Sequence, residues 1–142
     1  MGTVMVDTDV YSYVTSNNPN RGAPYRPHLT GHTVALSFIK VGEQYAGYHK
    51  KINKGEWKEN RLQTLESLLM LVLVIPYDLE ICRTYGFLKY ALRNTDGTDR
   101  TIAANDLWIA ACAVRHKLTL VTHNERHFRG IPGLTIITEP SA

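Results

Sequence analysis

Cysteine is scarce in this chain, and the two present, Cys82 and Cys112, lie far apart. There is no Cys-x-x-Cys pair and no Cys/His cluster, which excludes a zinc ribbon and a disulfide framework and points to reduced, buried thiols. Long hydrophobic runs are also missing. The longest, residues 68–76, is far too short to cross a bilayer. The N-terminus has neither the basic nor the apolar region of a secretory signal, so a cytoplasmic location is expected. No Gly-rich phosphate loop occurs, and no Ser–His–acid or Cys–His arrangement stands out. Charge of neither sign dominates. The formal net charge of +3 is mildly basic, which is compatible with a polyanionic substrate without identifying one.

What is present is enough for one full hydrophobic core. A chain of 142 residues with 44% apolar content is expected to form a single domain, residues 1–142. Apolar runs with β-branched residues at 3–6, 33–37, 72–75 and 118–121 read as strands, with a short edge strand at 134–137. Between them, helical spacing predicts helices that start near Val10, run from about Ile39, and span 56–69, 79–94 and a segment after Asn105. Asn105 is expected to cap that last helix, and Asp78 the one before it. Residues 17–31 hold three prolines and read as a loop with one helical turn near 25–29. Alternating strands and helices imply a three-layer α/β/α fold around a parallel sheet of about five strands.

Right-handed crossovers place the strand-to-helix loops on one edge of such a sheet, where ligands bind. That edge would collect Asp7, Asp9, Asp106 and Asn124, with Glu43 one turn into its helix. Gathered carboxylates repel and need protons or cations to coexist. Oxygen ligands without Cys or His suit a hard cation, Mg²⁺ or Mn²⁺. Such an ion can activate water and polarise a phosphodiester, so metal-assisted phosphodiester hydrolysis is the expected reaction class. Asp9 has two readings, a ligand or a helix cap. Lys50, Lys51, Lys54 and Lys58, with Trp57 among them, form either an RNA-phosphate surface or a solvated turn between helices. Arg100 and His123 are further candidates for RNA contact. Tyr77, Tyr85, Phe87 and Tyr90 read as core or dimer surface.

Four sequence features share one order and spacing: Asn-Asp-Leu-x-Ile-Ala-Ala at 105–111, Leu-Val-Thr-x-Asn at 120–124, Phe128, and Ile-Pro-Gly-Leu at 131–134. Together they resemble the C-terminal half of a PIN-domain ribonuclease of the kind that serves as the VapC toxin in toxin–antitoxin pairs. The resemblance extends over nearly the whole chain. It implies that Asp7, Glu43 and Asp106 are the family's first three acids, and that Asn124 falls at the fourth, where relatives carry Asp or Asn. Thr122 matches the family's Thr and is expected to orient the acids, and Ser37 precedes the helix that bears Glu43. Lys40 stands where the family usually has Thr or Ser, and Gln44 where it has an apolar residue. The resemblance further implies a Mg²⁺- or Mn²⁺-dependent endoribonuclease acting on structured RNA such as tRNA or rRNA. It implies a homodimer and a separately encoded VapB-like antitoxin. Two other readings remain open. One is a PIN-like module that binds RNA or protein without cutting. The other is a haloacid-dehalogenase-like phosphatase, whose nucleophile motif is also Asp-x-Asp after an apolar strand, as in Asp7-Thr8-Asp9.

Overall fold

The computed structural model describes residues 2–16, 20–92 and 102–139. Five strands form one parallel sheet in the order β3-β2-β1-β4-β5. They are β1 (Thr3–Val6), β2 (Thr33–Ser37), β3 (Leu73–Ile75), β4 (Thr119–Val121) and β5 (Ile136–Ile137). Helices α1 (Thr8–Thr15), α2 (Arg26–Leu29), α3 (Phe38–Asn53), α4 (Arg61–Leu69), α5 (Leu79–Ala91), α6 (Ala104–His116) and α7 (Glu125–Phe128) connect and cover them.

Strand side chains alternate between faces, and the two cores follow that alternation. Met5, Ala35 and Leu120 point into one layer, which α5 and α6 fill with Ile81, Leu88, Leu107, Ala110 and Ala111. Val4, Val6, Leu36 and Val121 point into the other, against Val10, Tyr11 and Tyr25. This is the expected three-layer arrangement, with β1 central and buried on both sides. The alanines of α6 matter because that helix touches α5, α3, α7 and β4 at once. Ile109, Cys112 and Ala113 are therefore buried along with the stripe that helical spacing predicts. Burial pushes the Cys112 thiol up to about 12, so it stays protonated, as a structural cysteine does. Trp108 stacks on Tyr85 at 3.8 Å between ring centroids, which places Tyr85 against the core. Tyr77, Phe87 and Tyr90 are exposed.

Each of the first three strands runs into a polar residue that caps the following helix. Asp7 Oδ1 accepts from Thr8 N at 2.8 Å, Ser37 Oγ from Lys40 N at 3.3 Å, and Asp78 Oδ1 from Ile81 N at 2.7 Å. Polar groups that end a strand thus satisfy the orphan N–H groups of the helix that follows.

Several expected boundaries differ. Helix α1 starts at Thr8 and is capped by Asp7, so Asp9 lies inside its first turn. Asn105 is not the cap of α6: the helix begins at Ala104 after Ala103, and Asn105 turns its amide outward to a partner described below. The helix expected over 56–69 begins only at Arg61, because α3 continues to Asn53 and residues 54–60 make the turn. Lys50 and Lys51 consequently sit on the last turn of α3 rather than in a loop. Helix α5 ends at Ala91, β5 is shorter than the apolar run at 134–137, and the short α7 lies where no helix is expected from spacing. Arg100 lies outside the described residues.

The close packing of α6 gives a direct test. Ala111→Leu should overpack the layer between α6 and the sheet and cost about 1–3 kcal/mol, read as a lower urea midpoint at unchanged slope.

Candidate metal centre at the carboxyl edge of the sheet

Asp7 is the first polar residue beyond the central strand, and only 2% of its surface is exposed. Its backbone N–H donates to Val121 O at 2.9 Å, which continues the β1–β4 ladder by one residue and aligns Asp7 with Thr122. The Thr122 hydroxyl donates to Asp7 Oδ2 at 2.9 Å and accepts from Asn124 N at 3.0 Å. With Thr8 N on Oδ1, the carboxylate plane is fixed from two strand ends.

The third partner of Asp7 is Lys40. Its Nζ lies 3.1 Å from Asp7 Oδ1 and 3.0 Å from Glu43 Oε2. Lys40 is buried, which lysine tolerates only when paired. Burial by itself would lower its pKa, but the charges and hydrogen bonds of Asp7 and Glu43 outweigh burial and hold it above the ordinary lysine value. Glu43 is held on its other oxygen by Asn105 Nδ2 at 2.8 Å. That contact ties α3 to the first turn of α6, which carries Asp106. Asp106 Oδ2 accepts from His127 Nδ1 at 2.9 Å. Asp9 accepts from Val10 N at 2.6 Å and from His123 N at 3.2 Å. Burial, and then the neighbouring charge of Asp7, raise the Asp9 pKa against those two N–H groups.

Asp7 and Glu43 share the Lys40 ammonium, Glu43 also accepts from Asn105, the residue before Asp106, and Asp9 is close enough to feel Asp7. Ser37 acts as the cap of α3. Asn124 joins through its backbone N–H, while its side chain is exposed at the rim of a cavity of about 380 Å³. His123, Arg126, His127 and Glu139 line the same cavity. The His123 ring is engaged by the Tyr25 hydroxyl at 2.6 Å, and Tyr25 in turn accepts from Glu139 N at 3.1 Å. His123 is thus an anchor between α2 and the C-terminal segment as well as a cavity wall.

The expected basic surface lies elsewhere. Lys50, Lys51 and Lys54 are seven to eleven residues beyond Glu43 on and just after α3, roughly 10–16 Å along its axis. Trp57 is covered by its own chain: Lys51 Nζ and Arg61 Cζ lie 4.8 and 4.5 Å from its ring centroid, and Tyr48 packs on it edge-on. Lys58 is exposed beside them.

Three partners are absent from what the sequence predicts: Lys40, Asn105 as a hydrogen-bond donor, and His127. Only Lys40 leaves a signal. It sits three residues after Ser37 and three before Glu43, on the helix face that meets the strand ends.

The donor set suits a hard divalent cation. Four carboxylates lie at one edge, and the Asp9 pKa is pushed up first by burial and then by the charge of Asp7. The Thr8 hydroxyl, between Asp7 and Asp9 in the chain, is buried without a hydrogen-bond partner among the described residues. Among the described residues, no three Asp, Glu, His or Cys side chains already converge closely enough to hold an ion. Lys40 and His127 occupy the oxygens that would have to do so.

A family model described as PIN domain matches residues 4–134. Ribonuclease VapC1 of Haemophilus influenzae (strain R2866) is 30% identical over 92% of each chain. The crystal structure of VapBC2 from Rickettsia felis bound to a promoter DNA fragment superposes with a TM-score of 0.76 and 28% identity, over 99% of this chain and 100% of that one. VapBC-1 from nontypeable Haemophilus influenzae gives a TM-score of 0.76 and 29% identity, over 97% and 98%.

The Asp9 environment sets a pH dependence. Its folded pKa lies above the ordinary 3.8, so the native chain holds that proton better than the unfolded one. The stability contributed by the protonated form is present below the unfolded pKa and is lost as pH rises through the folded value. In chelator, Asp9→Asn should therefore gain melting temperature over wild type at pH 7, and the gain should shrink as pH falls toward ~4.

Proposed function

This chain belongs to the PIN-domain family, and from that premise we propose that it is a metal-dependent endoribonuclease, the toxin of a toxin–antitoxin pair. One observation supports the reading: the central strand ends in a buried, oriented carboxylate, Asp7, which shares the Lys40 ammonium with Glu43, and Glu43 accepts from Asn105, the neighbour of Asp106. The naming of the relatives as ribonucleases and as VapBC assemblies supports the substrate class and the partner. The PIN match over residues 4–134 leaves the phosphatase alternative without support.

Asp7, Glu43 and Asp106 would hold Mg²⁺ or Mn²⁺, with Asp9 and Asn124 at its margin. The ion, when bound, supplies a Lewis acid for the phosphodiester and lowers the pKa of attacking water. The chain's own residues supply the order. Thr122 fixes the plane of Asp7, Asn105 fixes Glu43, and His127 aims Asp106. The cavity lined by Asn124, Arg126 and His127 adjoins Asp106 through His127 and would receive the RNA strand. Lys50, Lys51, Lys54 and Lys58 are too far along α3 to reach the same phosphate. They suit phosphates a few nucleotides away in tRNA or rRNA.

A VapB-like antitoxin would inhibit by covering the carboxyl edge. A homodimer is supported by the exposed apolar residues at the β3 side of the sheet, Met70, Leu71, Leu73, Val74, Tyr77 and Leu79. Among the described residues, no helix is long and apolar enough to cross a membrane, and a cytoplasmic site of action fits an RNA substrate. One observation favours a module that binds without cutting: the Lys40 ammonium already neutralises part of the acid cluster. That reading predicts RNA retention without cleavage in saturating Mn²⁺.

The discriminating variant is Asp106→Asn. Asp7 is too deeply built into the fold for a clean test, whereas among the described residues the Asp106 side chain hydrogen-bonds to His127 alone. Asp106→Asn should keep the wild-type circular dichroism and melting temperature and lose at least about a hundredfold in Mn²⁺-dependent RNA cleavage. Chelator should abolish wild-type cleavage to the same degree. Undiminished cleavage by the variant would contradict the assignment.

A further inference from the structure

We propose that the Lys40 ammonium is a built-in cation that takes, between Asp7 and Glu43, a place a divalent ion could otherwise hold, so that ammonium and ion compete for the same carboxylates. The inference rests on the metal-site reading above and deepens it.

Lys40 is poorly placed by every local criterion. It lies in the first turn of α3, where the helix dipole disfavours positive charge. Its side chain is 10% exposed, so the ammonium has given up most of its water. Ordering a long flexible side chain adds an entropic cost. An apolar residue of similar volume would fill the space with none of these penalties. What compensates them is Asp7 at 3.1 Å and Glu43 at 3.0 Å. The charge of Lys40 is therefore matched to the acids and not to the helix that bears it.

The same two contacts define the competition. Mg²⁺ and Mn²⁺ take oxygen ligands, so an ion held by Asp7 and Glu43 would draw on the same carboxylates that Nζ now occupies. An ion bound nearby would face the ammonium at close range, and like charges repel strongly in a half-buried site. Lys40 also spans the gap between β1 and α3, so it keeps the two acids together when no ion is bound. Affinity is thereby traded for a preassembled site.

The test is Mn²⁺ binding, read from the loss of the free-ion electron paramagnetic resonance signal, with wild type, Lys40→Met and Asp106→Asn. Lys40→Met should bind Mn²⁺ at least about tenfold more tightly than wild type. Its melting temperature should fall in chelator and rise on adding Mn²⁺ by much more than that of wild type. Should Lys40→Met fail to fold without the ion, Lys40→Gln keeps an uncharged N–H donor group and is measured in the same way. Equal or weaker Mn²⁺ affinity in the variants overturns the competition. If wild type binds Mn²⁺ in an Asp106-dependent manner while the Lys40 variants bind no tighter, this proposal alone falls. If none of the proteins binds Mn²⁺ at millimolar concentration, the metal-site reading falls with it.

Discussion

A buried carboxylate must be surrounded by groups that replace its water, and Asp7 is where this fold meets that requirement. Its carboxylate is held by the Thr8 N–H, the Thr122 hydroxyl and the Lys40 ammonium. Those three come from the start of α1, the end of β4 and the first turn of α3. The carboxylate therefore couples the central strand to elements on both sides of it. Removing one charged partner from such a pair would leave the other uncompensated, at a cost of about 3–5 kcal/mol. The site and the fold are in this sense inseparable: the groups that make Asp7 bearable inside the protein also aim it.

Parallel β-topology accounts for the arrival of the other acids at the same place. Every strand-to-helix connection in the described sheet opens on one edge, so residues remote in sequence end a strand or begin a helix side by side. Asp7 and Thr122 directly follow strands and Ser37 ends one, while Asp9 and Asp106 lie in the first turns of their helices and Glu43 in the second turn of α3. Helix N-termini favour the carboxylates of Asp9 and Asp106, which offsets part of the repulsion among the acids. Asp9 is the acid whose pKa rises, through burial first and the charge of Asp7 second.

Much of this is legible in the sequence, and for physical reasons. Short runs rich in apolar and β-branched residues at 3–6 and 118–121 fit strands buried on both faces, and β1 and β4 form there. Asp7 and Asp106 can be placed because a carboxylate directly after an apolar strand, or in the first turn of a helix, falls at the sheet edge where the strand-to-helix loops gather. Asn105 departs from its expected role because capping preference is a local prior, and a tertiary partner, Glu43, outweighs it. Residues 54–60 read partly as helix because α3 and α4 are polar on their outer faces, so periodicity is weak where one ends and the other begins. His127 leaves no sequence signal, since its role depends on α7 folding back under the first turn of α6. Lys40 is visible as a departure from the family pattern and in its three-residue spacing from Ser37 and Glu43, and neither says that it is buried.

The central claim is that the linked carboxylates Asp7, Glu43 and Asp106 form one divalent-metal site. Crystals soaked in Mn²⁺, with an anomalous difference map collected near the manganese edge, test it most directly. The account predicts a peak at the carboxyl edge of the sheet within coordination distance of Asp7 and Asp106. A well-ordered site with no peak there, or a peak only among His28, His123 and Glu139, would contradict it.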